Sequence, residues 1–460
     1  MKNVEHAHRD RPRNRLGKLL RNAVAAGGVA RPTSRSRGAP GAGTWVSPLD
    51  WAGCFAVFAL LHSANAFDAL LGLADVTAPI DVVISLALYL VAFGLLCHHH
   101  RLRWLRWLLQ RQPLLCTVLI VAVASWLWSI APEFTWTRSI LLLGTTLIGV
   151  YVGYCFAPRT LMVILLYTFV ILVVGGVVLA LLLPEDGQTL HKDHIVWIGL
   201  ARNRNHFGFV AAIAAVFFIV GTLFGRVALP AGIALALLSV LALAMTRSAT
   251  SLVAFLVGVL TLFIFMLSKR IKAPSILTLL LVLTGGSGVA ILVATTNYFY
   301  DFADVLDRNY SFTGRTDIWL AAWQAMLERP WLGWGYGTLW STSEESVFVQ
   351  KEILGLDVIV GHAHNSFLNI ASELGVPTGV AAIVYLLTTM FQATRTYIHR
   401  ASPFALFAIA LVFMVMIESI AEARLFERRQ FFWVLFVAVA VSIQWPLQTR
   451  KLLRLRRKQS

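Results

Sequence analysis

Apolar residues recur along this chain in runs of about 20, the length that crosses a hydrocarbon core of about 30 Å as an α-helix. Short polar stretches separate the runs, and His62, Asn65 and Asp68 interrupt the first of them. The pattern predicts an all-α integral membrane protein of about twelve transmembrane helices. The predicted spans are 48–68, 81–97, 114–131, 139–157, 161–183, 207–225, 228–245, 250–268, 275–295, 366–391, 403–420 and 430–446.

The composition excludes an ordinary soluble protein. Of the 460 residues, 58% are hydrophobic and 13% are charged, whereas soluble domains carry about 25% charged residues. A bilayer accommodates that much apolar surface, and a soluble core of this size does not.

Charge predicts the orientation of the spans. Lys and Arg number 39 against 23 Asp and Glu, and the excess falls in every second loop. By the positive-inside rule these loops are cytoplasmic, which places both termini inside and requires an even number of spans. The excess therefore indicates topology and contact with anionic lipids, not nucleic-acid binding. The basic groups are Arg9 to Arg21, Arg101 to Arg111, Lys269 to Lys272, Arg395 with Arg400, and Arg450 to Lys458.

The chain divides into three predicted parts. Residues 1–46 form a basic cytoplasmic arm, rich in Pro and Gly, that is expected to be disordered. Residues 47–446 form the membrane domain, and 447–460 form a basic cytoplasmic tail. An organellar transit peptide is the alternative interpretation of the arm, and a chain-length regulator is its candidate partner.

The longest extracytoplasmic loop, 296–365, contains a predicted helix of its own. The sequence T-G-R-T-D-I-W-L-A-A-W-Q-A-M-L-E-R-P begins at Thr313, and Pro330 ends the pattern. We expect the helix to lie on the outer membrane surface or against the spans. A buried structural helix is the alternative. The residues predicted to share its apolar face are Ile318, Trp319, Ala322, Trp323, Met326 and Leu327.

Arginines at the outer boundary are the first candidates for chemistry. Arg247 lies in M-T-R-S-A-T-S between two spans, where a snorkelling interfacial arginine is the simplest interpretation. Arg315 opens the loop helix, where a positive charge opposes the macrodipole. Binding an anion, or pairing with Asp317 or Asp301, would explain it. Arg202 and Arg204, in R-N-R-N-H-F-G, either hold a phosphate or anchor the next span.

His362 and His364 are the second set of candidates. They lie in G-H-A-H-N-S-F-L-N just before the tenth predicted span. A zinc site would need further ligands, which His191 and His194 in another loop would have to supply. No metal is therefore predicted. G-W-G-Y-G at 333–337 follows no strand, so we predict a tight turn instead of a phosphate-binding loop.

Arginines and histidines together suit one kind of reaction. A guanidinium group binds two oxygens of a pyrophosphate at once and keeps its charge. An imidazole titrates near neutrality and accepts a proton from a hydroxyl. Such a set fits the transfer of a group from a lipid diphosphate to an alcohol, and this is one interpretation among several.

The segment H-N-S-F-L-N-I-A-S-E-L-G-V-P-T resembles the signature of the bacterial O-antigen ligase and polymerase family. His364, Asn365, Gly375 and Thr378 match its spaced positions. T-G-R-T-D-I-W and E-R-P-W-L-G-W-G-Y-G resemble the family's long periplasmic loop, and M-T-R-S-A-T-S resembles another of its segments. The resemblance covers roughly residues 200–390.

This resemblance implies a fold like that of membrane glycosyltransferases of the GT-C type, and it implies roles for individual residues. His364 would be the catalytic base or would orient the acceptor, with His362 and Asn365 supporting it. Arg247 and Arg315 would bind the undecaprenyl diphosphate of the glycan donor. Arg202 or Arg204 would add a donor contact, although R-N-R-N departs from the family's usual Lys-Asn. The implied reaction is inverting and uses no metal or other cofactor.

The same resemblance implies a bacterial inner-membrane location with a periplasmic active site. The matching sequence segments resemble exopolysaccharide repeat-unit polymerases more than ligases. The acceptor of such a polymerase is another lipid-linked repeat, whereas the acceptor of a ligase is lipid A–core. A lipid or polysaccharide transporter is the alternative of another class, because ionisable groups such as Glu373 and Glu418 fall in predicted spans. No internal repeat supports that alternative.

Overall fold

The computed structural model describes residues 48–67, 79–100, 102–191, 193–201, 203–268 and 315–444. This part of the chain is mostly helical. Its helices are α1 (Trp51–Ser63), α2 (Pro79–His100), α3 (Arg103–Arg111), α4 (Pro113–Ala124), α5 (Pro132–Cys155), α6 (Pro158–Leu182), α7 (Arg204–Leu223), α8 (Leu229–Thr246), α9 (Ala249–Ser268), α10 (Arg315–Glu328), α11 (Glu344–Phe348), α12 (Ser366–Leu374), α13 (Val376–Arg400), α14 (Pro403–Ala421) and α15 (Phe431–Ser442).

Shorter elements complete the described chain. A 3₁₀ turn, Ser125–Leu127, extends α4, and a π turn, Val349–Ile353, extends α11. After α6 and a single helical turn come two antiparallel strands, β1 (Gln188–His191) and β2 (His194–Trp197). This hairpin lies in a predicted loop and departs from the expected all-helical structure.

Eight of the described helices are long and apolar enough to cross a membrane. They are α2, α5, α6, α7, α8, α9, α13 and α14. The pair formed by α3 and α4 with its 3₁₀ turn would add a ninth, although it bends by 101°. The shorter apolar helices α1 and α15 coincide with the first and last predicted spans. An all-α membrane protein is thereby supported. The count of twelve stays a prediction, because 275–295 lies outside the described residues.

Helix α3 forms the basic loop around Arg101 to Arg111 and is amphipathic. Trp104 and Leu108 are buried against the protein, whereas Arg103, Arg106 and Arg111 are exposed. The sharp bend into α4 directs this amphipathic helix away from the axis of the following span. Such a basic amphipathic helix is suited to lie along an anionic lipid surface.

The centre of the bundle is formed by α7, α14 and α15, whose side chains are almost all buried. Helix α5 packs on α15 through two glycines one turn apart. A Cβ at Gly149 would lie 2.8 Å from the carbonyl oxygen of Val434, and a Cβ at Gly153 would be closer still to that of Ala438. Small residues at such spacing let membrane helices approach closely.

The predicted loop helix is confirmed as α10, and the residues of its predicted apolar face are divided between a buried and an exposed set. Ile318 and Ala322 are buried in a small apolar cluster with Trp334 and Trp340. Trp323 and Leu327, however, are 51% and 59% exposed. The physical reason is that α10 has apolar side chains on two faces, and the inner face uses small alanines for close packing. The exposed stripe is Leu320, Trp323 and Leu327.

The predicted tight turn at 333–337 is confirmed. Gly333, Gly335 and Gly337 have φ angles of 68°, 104° and 68°, in the left-handed region that only glycine adopts freely. The turn brings Trp334 beneath α10, where its indole donates to the carbonyl of Ala325 at 2.8 Å. This hydrogen bond ties the turn to α10.

Candidate functional site

The site is centred on Glu422, the first residue after α14. Its Oε1 accepts hydrogen bonds from Arg315 Nη2 at 2.7 Å and from Asn205 Nδ2 at 2.8 Å. Its Oε2 lies 3.4 Å from His364 Nδ1. One carboxylate, which the sequence analysis did not single out, therefore joins α7, α10 and the segment before α12.

Glu422 is held in its charged form. Burial acts to raise the pKa of this carboxyl, but the adjacent His364 and the guanidinium groups of Arg424 and Arg315 outweigh burial and hold the pKa well below its usual range. The side chain is 8% exposed. Glu422 is thus an anchored anion at neutral pH.

His364 adopts a backbone conformation that L-residues rarely take. Its φ is 48°, in the left-handed region, and holding a residue there costs on the order of 1 kcal/mol. The strain is sustained by bonds on both sides. Trp319 Nε1 donates to the His364 carbonyl at 3.4 Å, and Asn369 Oδ1 accepts from the Ala363 amide at 3.0 Å. Strained, over-determined residues of this kind cluster at functional sites.

The imidazole of His364 presents its Nδ1 atom to Glu422. Because Nδ1 faces the Glu422 carboxylate, the proton of the neutral ring is favoured on Nδ1. Nε2 then carries the free lone pair. The side chain is 30% exposed, so the ring is partly accessible to a ligand.

His362 supports the backbone of its neighbour. Its Nδ1 accepts a hydrogen bond from the His364 amide at 3.1 Å. Burial and the adjacent His364 lower the pKa of His362 to about 4, so its ring is neutral at pH 7. Asn365 caps α12 by accepting from the Phe367 and Leu368 amides. Both residues lie where the supporting role was expected, and that role stays a prediction.

The candidate arginines come from three helix ends. Arg315 opens α10, and its observed partner is Glu422 instead of the expected Asp317. Asp317 is exposed, and Asp301 lies outside the described residues. The correction has a simple cause, because tertiary packing supplies a buried carboxylate that no local pattern reveals.

Arg204 and Arg247 are brought together by the packing of α7 against α8. Arg204 Nη1 donates to the backbone oxygen of Arg247 at 2.8 Å. Arg247 ends α8 in the left-handed region with φ 48°. Its side chain is exposed, and it forms no ion pair with any residue the structure describes. Arg202 lies outside the described residues.

A second ion pair braces the segment that carries Glu422. Arg424 Nη2 lies 3.2 Å from Glu418 Oε1, and Glu418 is fully buried. Ser366 Oγ donates to the Glu422 carbonyl at 3.0 Å and accepts from the Arg424 amide at 2.7 Å. Glu418 therefore supports the local structure that positions Glu422.

His362, His364 and Glu422 place three potential metal ligands within 4.8 Å of one another. Two imidazoles and a carboxylate are a known ligand set for zinc. The surroundings argue against it, because Glu422 already accepts two hydrogen bonds and two arginines lie beside it. His191 and His194 belong to the β-hairpin and are not part of this cluster. The positive surroundings favour an anion over a divalent cation.

The family comparison agrees with this chemistry. Residues 234–383 match the family model described as O-Antigen ligase. The match covers about a third of the chain and supports the O-antigen ligase and polymerase superfamily. The matched segment of the O-antigen ligase family contains Arg247, Arg315 and His364 but ends before Glu422. No curated protein matches the chain.

The described chain also has a cavity of about 640 Å³ that belongs to a different region. It is lined by Asp50, Tyr151 and Arg159 among others and contains no histidine. It lies where α5 ends, whereas Thr135 near the start of α5 contacts Thr338, the residue after the 333–337 turn. The 24 residues of α5 separate these ends by about 35 Å. The cavity is therefore remote from His364.

Proposed function

We propose that this protein is a membrane glycosyltransferase that moves an undecaprenyl-diphosphate-linked glycan onto a sugar hydroxyl, most plainly to polymerise repeat units of an O-antigen or exopolysaccharide. The observation that carries the proposal is the contact between His364 and Glu422 beside several arginines. The family match over 234–383 supports the same class of function.

The charge of the site suits a diphosphate. It contains four guanidinium groups and two carboxylates, namely Arg204, Arg247, Arg315, Arg424, Glu418 and Glu422. Arg247 has no ion-pair partner among the described residues, and Arg315 uses one of its five N–H donors on Glu422. Both guanidinium groups therefore keep N–H groups that can bind the pyrophosphate of the lipid-linked glycan. The negative charge of that pyrophosphate grows as it leaves.

His364 suits the acceptor. Nε2 removes the proton of the attacking hydroxyl while Glu422 stabilises the imidazolium that forms. The hydroxyl oxygen bonds to the anomeric carbon as the bond from that carbon to the diphosphate oxygen breaks. Attack from the face opposite the diphosphate inverts the anomeric centre. This proton transfer from the hydroxyl to His364 needs no metal ion.

An O-antigen ligase is the second candidate, because the matching family model carries that description. A ligase would use the same donor site and the same base, and only its acceptor, lipid A–core, would differ. We place either reaction at the periplasmic face of the bacterial inner membrane, with both chain termini in the cytoplasm. Fusions of phosphatase or fluorescent reporters to each terminus test that orientation.

The deciding experiment compares glycans in a strain that lacks the protein and in strains complemented with wild type, His364→Ala or His399→Ala. His399 is an exposed histidine near the end of α13 and is the matched control. Accumulated single lipid-linked repeats in the null and His364→Ala strains would support polymerisation. Full-length lipid-linked polymer beside bare lipid A–core would support the ligase instead. Normal glycans of both kinds would contradict this class of function.

A further inference from the structure

A second polar cluster lies at the outer ends of α5 and α12. We define it as Arg138, Glu373, Glu427 and Arg428. Glu373 Oε2 accepts from the Gly337 amide at 2.9 Å, and Arg138 Nη1 donates to the Gly337 carbonyl. The cluster is therefore built on the same glycine turn that carries Trp334.

The four ionisable groups lie close enough to influence one another, and no direct ion pair joins them. Each carboxylate of the second polar cluster feels the charge of both arginines, yet none of the four belongs to a direct ion pair with another described residue. Arg138, Glu427 and Arg428 are half-buried, not enclosed. Burial raises the pKa of Glu427, and Arg428 opposes that rise. Because these guanidinium and carboxyl groups are not paired with one another, they keep hydrogen-bonding capacity for a ligand.

One side chain connects the second polar cluster to the catalytic histidine. Asn369 Oδ1 accepts from the Ala363 amide, and Asn369 Nδ2 donates to Glu427 Oε1 at 3.4 Å. Glu373 of the second polar cluster lies near the end of α12, and His364 lies just before its start. From Asn365 to Glu373 the helix rises by about 12 Å. The two sites are thus neighbours along one helix.

Their charge balance differs. The His364 site has an excess of guanidinium groups, which suits a diphosphate. The second polar cluster has two guanidinium groups and two carboxyl groups, so it offers both hydrogen-bond donors and hydrogen-bond acceptors. A neutral, polyhydroxylated ligand matches such a set, because each hydroxyl both donates and accepts. Sites built to bond hydroxyls also reject ligands that lack them.

We propose that the second polar cluster is the acceptor subsite, which binds sugar hydroxyls of the incoming glycan and directs one of them toward His364. This inference rests on the proposed glycosyl transfer. It assigns recognition of the acceptor sugar to Arg428 and Glu427, and recognition of the donor diphosphate to Arg247.

The test measures binding of two probes to the purified full-length protein in phospholipid nanodiscs. The first probe is inorganic pyrophosphate, and the second is the oligosaccharide released by mild acid from lipid-linked glycans of the parent strain. Arg428→Gln and Glu427→Gln are expected to weaken oligosaccharide binding by about 10-fold each and to leave pyrophosphate binding within about two-fold. Arg247→Gln is expected to do the reverse.

Two controls separate recognition from folding. Glu352 is exposed, and Glu352→Gln should change neither affinity. The melting temperature of each variant, together with retained pyrophosphate binding, reports whether the fold is intact.

The outcomes distinguish the two proposals. If wild type binds pyrophosphate while the oligosaccharide fails to bind, or binds Arg428→Gln and Glu427→Gln as tightly as wild type, the acceptor subsite is wrong and the proposed transfer stands. If wild type does not bind pyrophosphate, the proposed transfer itself is contradicted.

Discussion

His364 Nδ1 lies 3.4 Å from Glu422 Oε2, so a candidate base within the family segment is oriented by a carboxylate outside it. Glu422 follows α14, whereas the match to the family model ends at residue 383. The same carboxylate holds Arg315 at 2.7 Å. Base and anion-binding group are therefore positioned by one anion, and a change to Glu422 should affect both.

Replacing Glu422 tests this coupling. Glu422→Gln keeps the shape but removes the charge that orients His364, so we expect the turnover number to fall by about 10²-fold or more. Transfer assays with lipid-linked repeats provide the measurement.

A double variant sharpens the same test. If Glu422 acts through His364, adding Glu422→Gln to His364→Ala should lower the rate by much less than Glu422→Gln does alone. Independent, multiplying effects would show that Glu422 contributes through structure or through Arg315 only.

Arg247 should contribute mainly to binding of the donor. Arg247→Lys keeps the charge but loses the planar fork, and a rise of about 10-fold in the KM for the donor is expected. Arg395→Lys, at an exposed position near the far end of α13, is the matched control. Initial rates at varied donor concentration measure both. An unchanged KM in Arg247→Lys would remove Arg247 from the donor site.

Stability should fall in mildly acidic solution because of His362. Its pKa is lowered from 6.5 to about 4 in the folded protein, so the unfolded chain binds more protons between those two values. Stability must therefore decrease as the pH drops through that window. Glu422 contributes stability that is lost only as the pH falls below about 4.5, its ordinary pKa in the unfolded chain, because its pKa in the folded protein is lower still.

Thermal melts of wild type and His362→Gln in the same nanodiscs check this expectation. The melting temperature of wild type should drop between pH 7 and pH 4.5, chosen to bracket most of the window set by the two pKa values. His362→Gln should show a clearly smaller drop. Parallel curves for the two proteins would show that His362 does not drive the change.

The contact between α5 and α15 should tolerate no side chain at its glycines. Gly153→Ala places a Cβ against the Ala438 backbone, and overpacking of this kind costs about 1–3 kcal/mol. We expect a lower melting temperature. Gly94→Ala in α2 is the matched control, because a Cβ there meets nothing within 4 Å. Equal melting temperatures for the two variants would argue that the helices separate easily.

Apolar runs were sufficient to predict most helices, because a bilayer leaves the backbone few alternatives to helix. The loop helix α10 was also predictable, from the helical spacing of its apolar residues and from Pro330. The exposed position of Trp323 and Leu327 was not predictable, since alanines and bulky residues are both apolar in a sequence pattern. Only packing decides which of the two faces is covered.

The candidate site was half predictable. His364 and Arg315 were found from local composition and resemblance, but their shared partner comes from a loop far along the chain. A signal for that loop existed. The stretch A-E-A-R-L-F-E-R-R-Q places five charged residues between two apolar spans, and such density at a boundary favours buried pairing over a simple connection. Asn205, beside the singled-out Arg204, was missed because an amide carries no charge pattern.

The burial of residues 422–425 has a practical consequence for anyone adding a tag to this protein. By hydropathy this charged loop looks like the natural insertion point between two spans, yet Glu422 and Arg424 are 6% and 4% exposed, so an inserted epitope would break the site. The β-hairpin is the better place. Leu190 and Ile195 near its turn are 74% and 60% exposed. An epitope there would show an antibody which side of the membrane carries the site while leaving it intact.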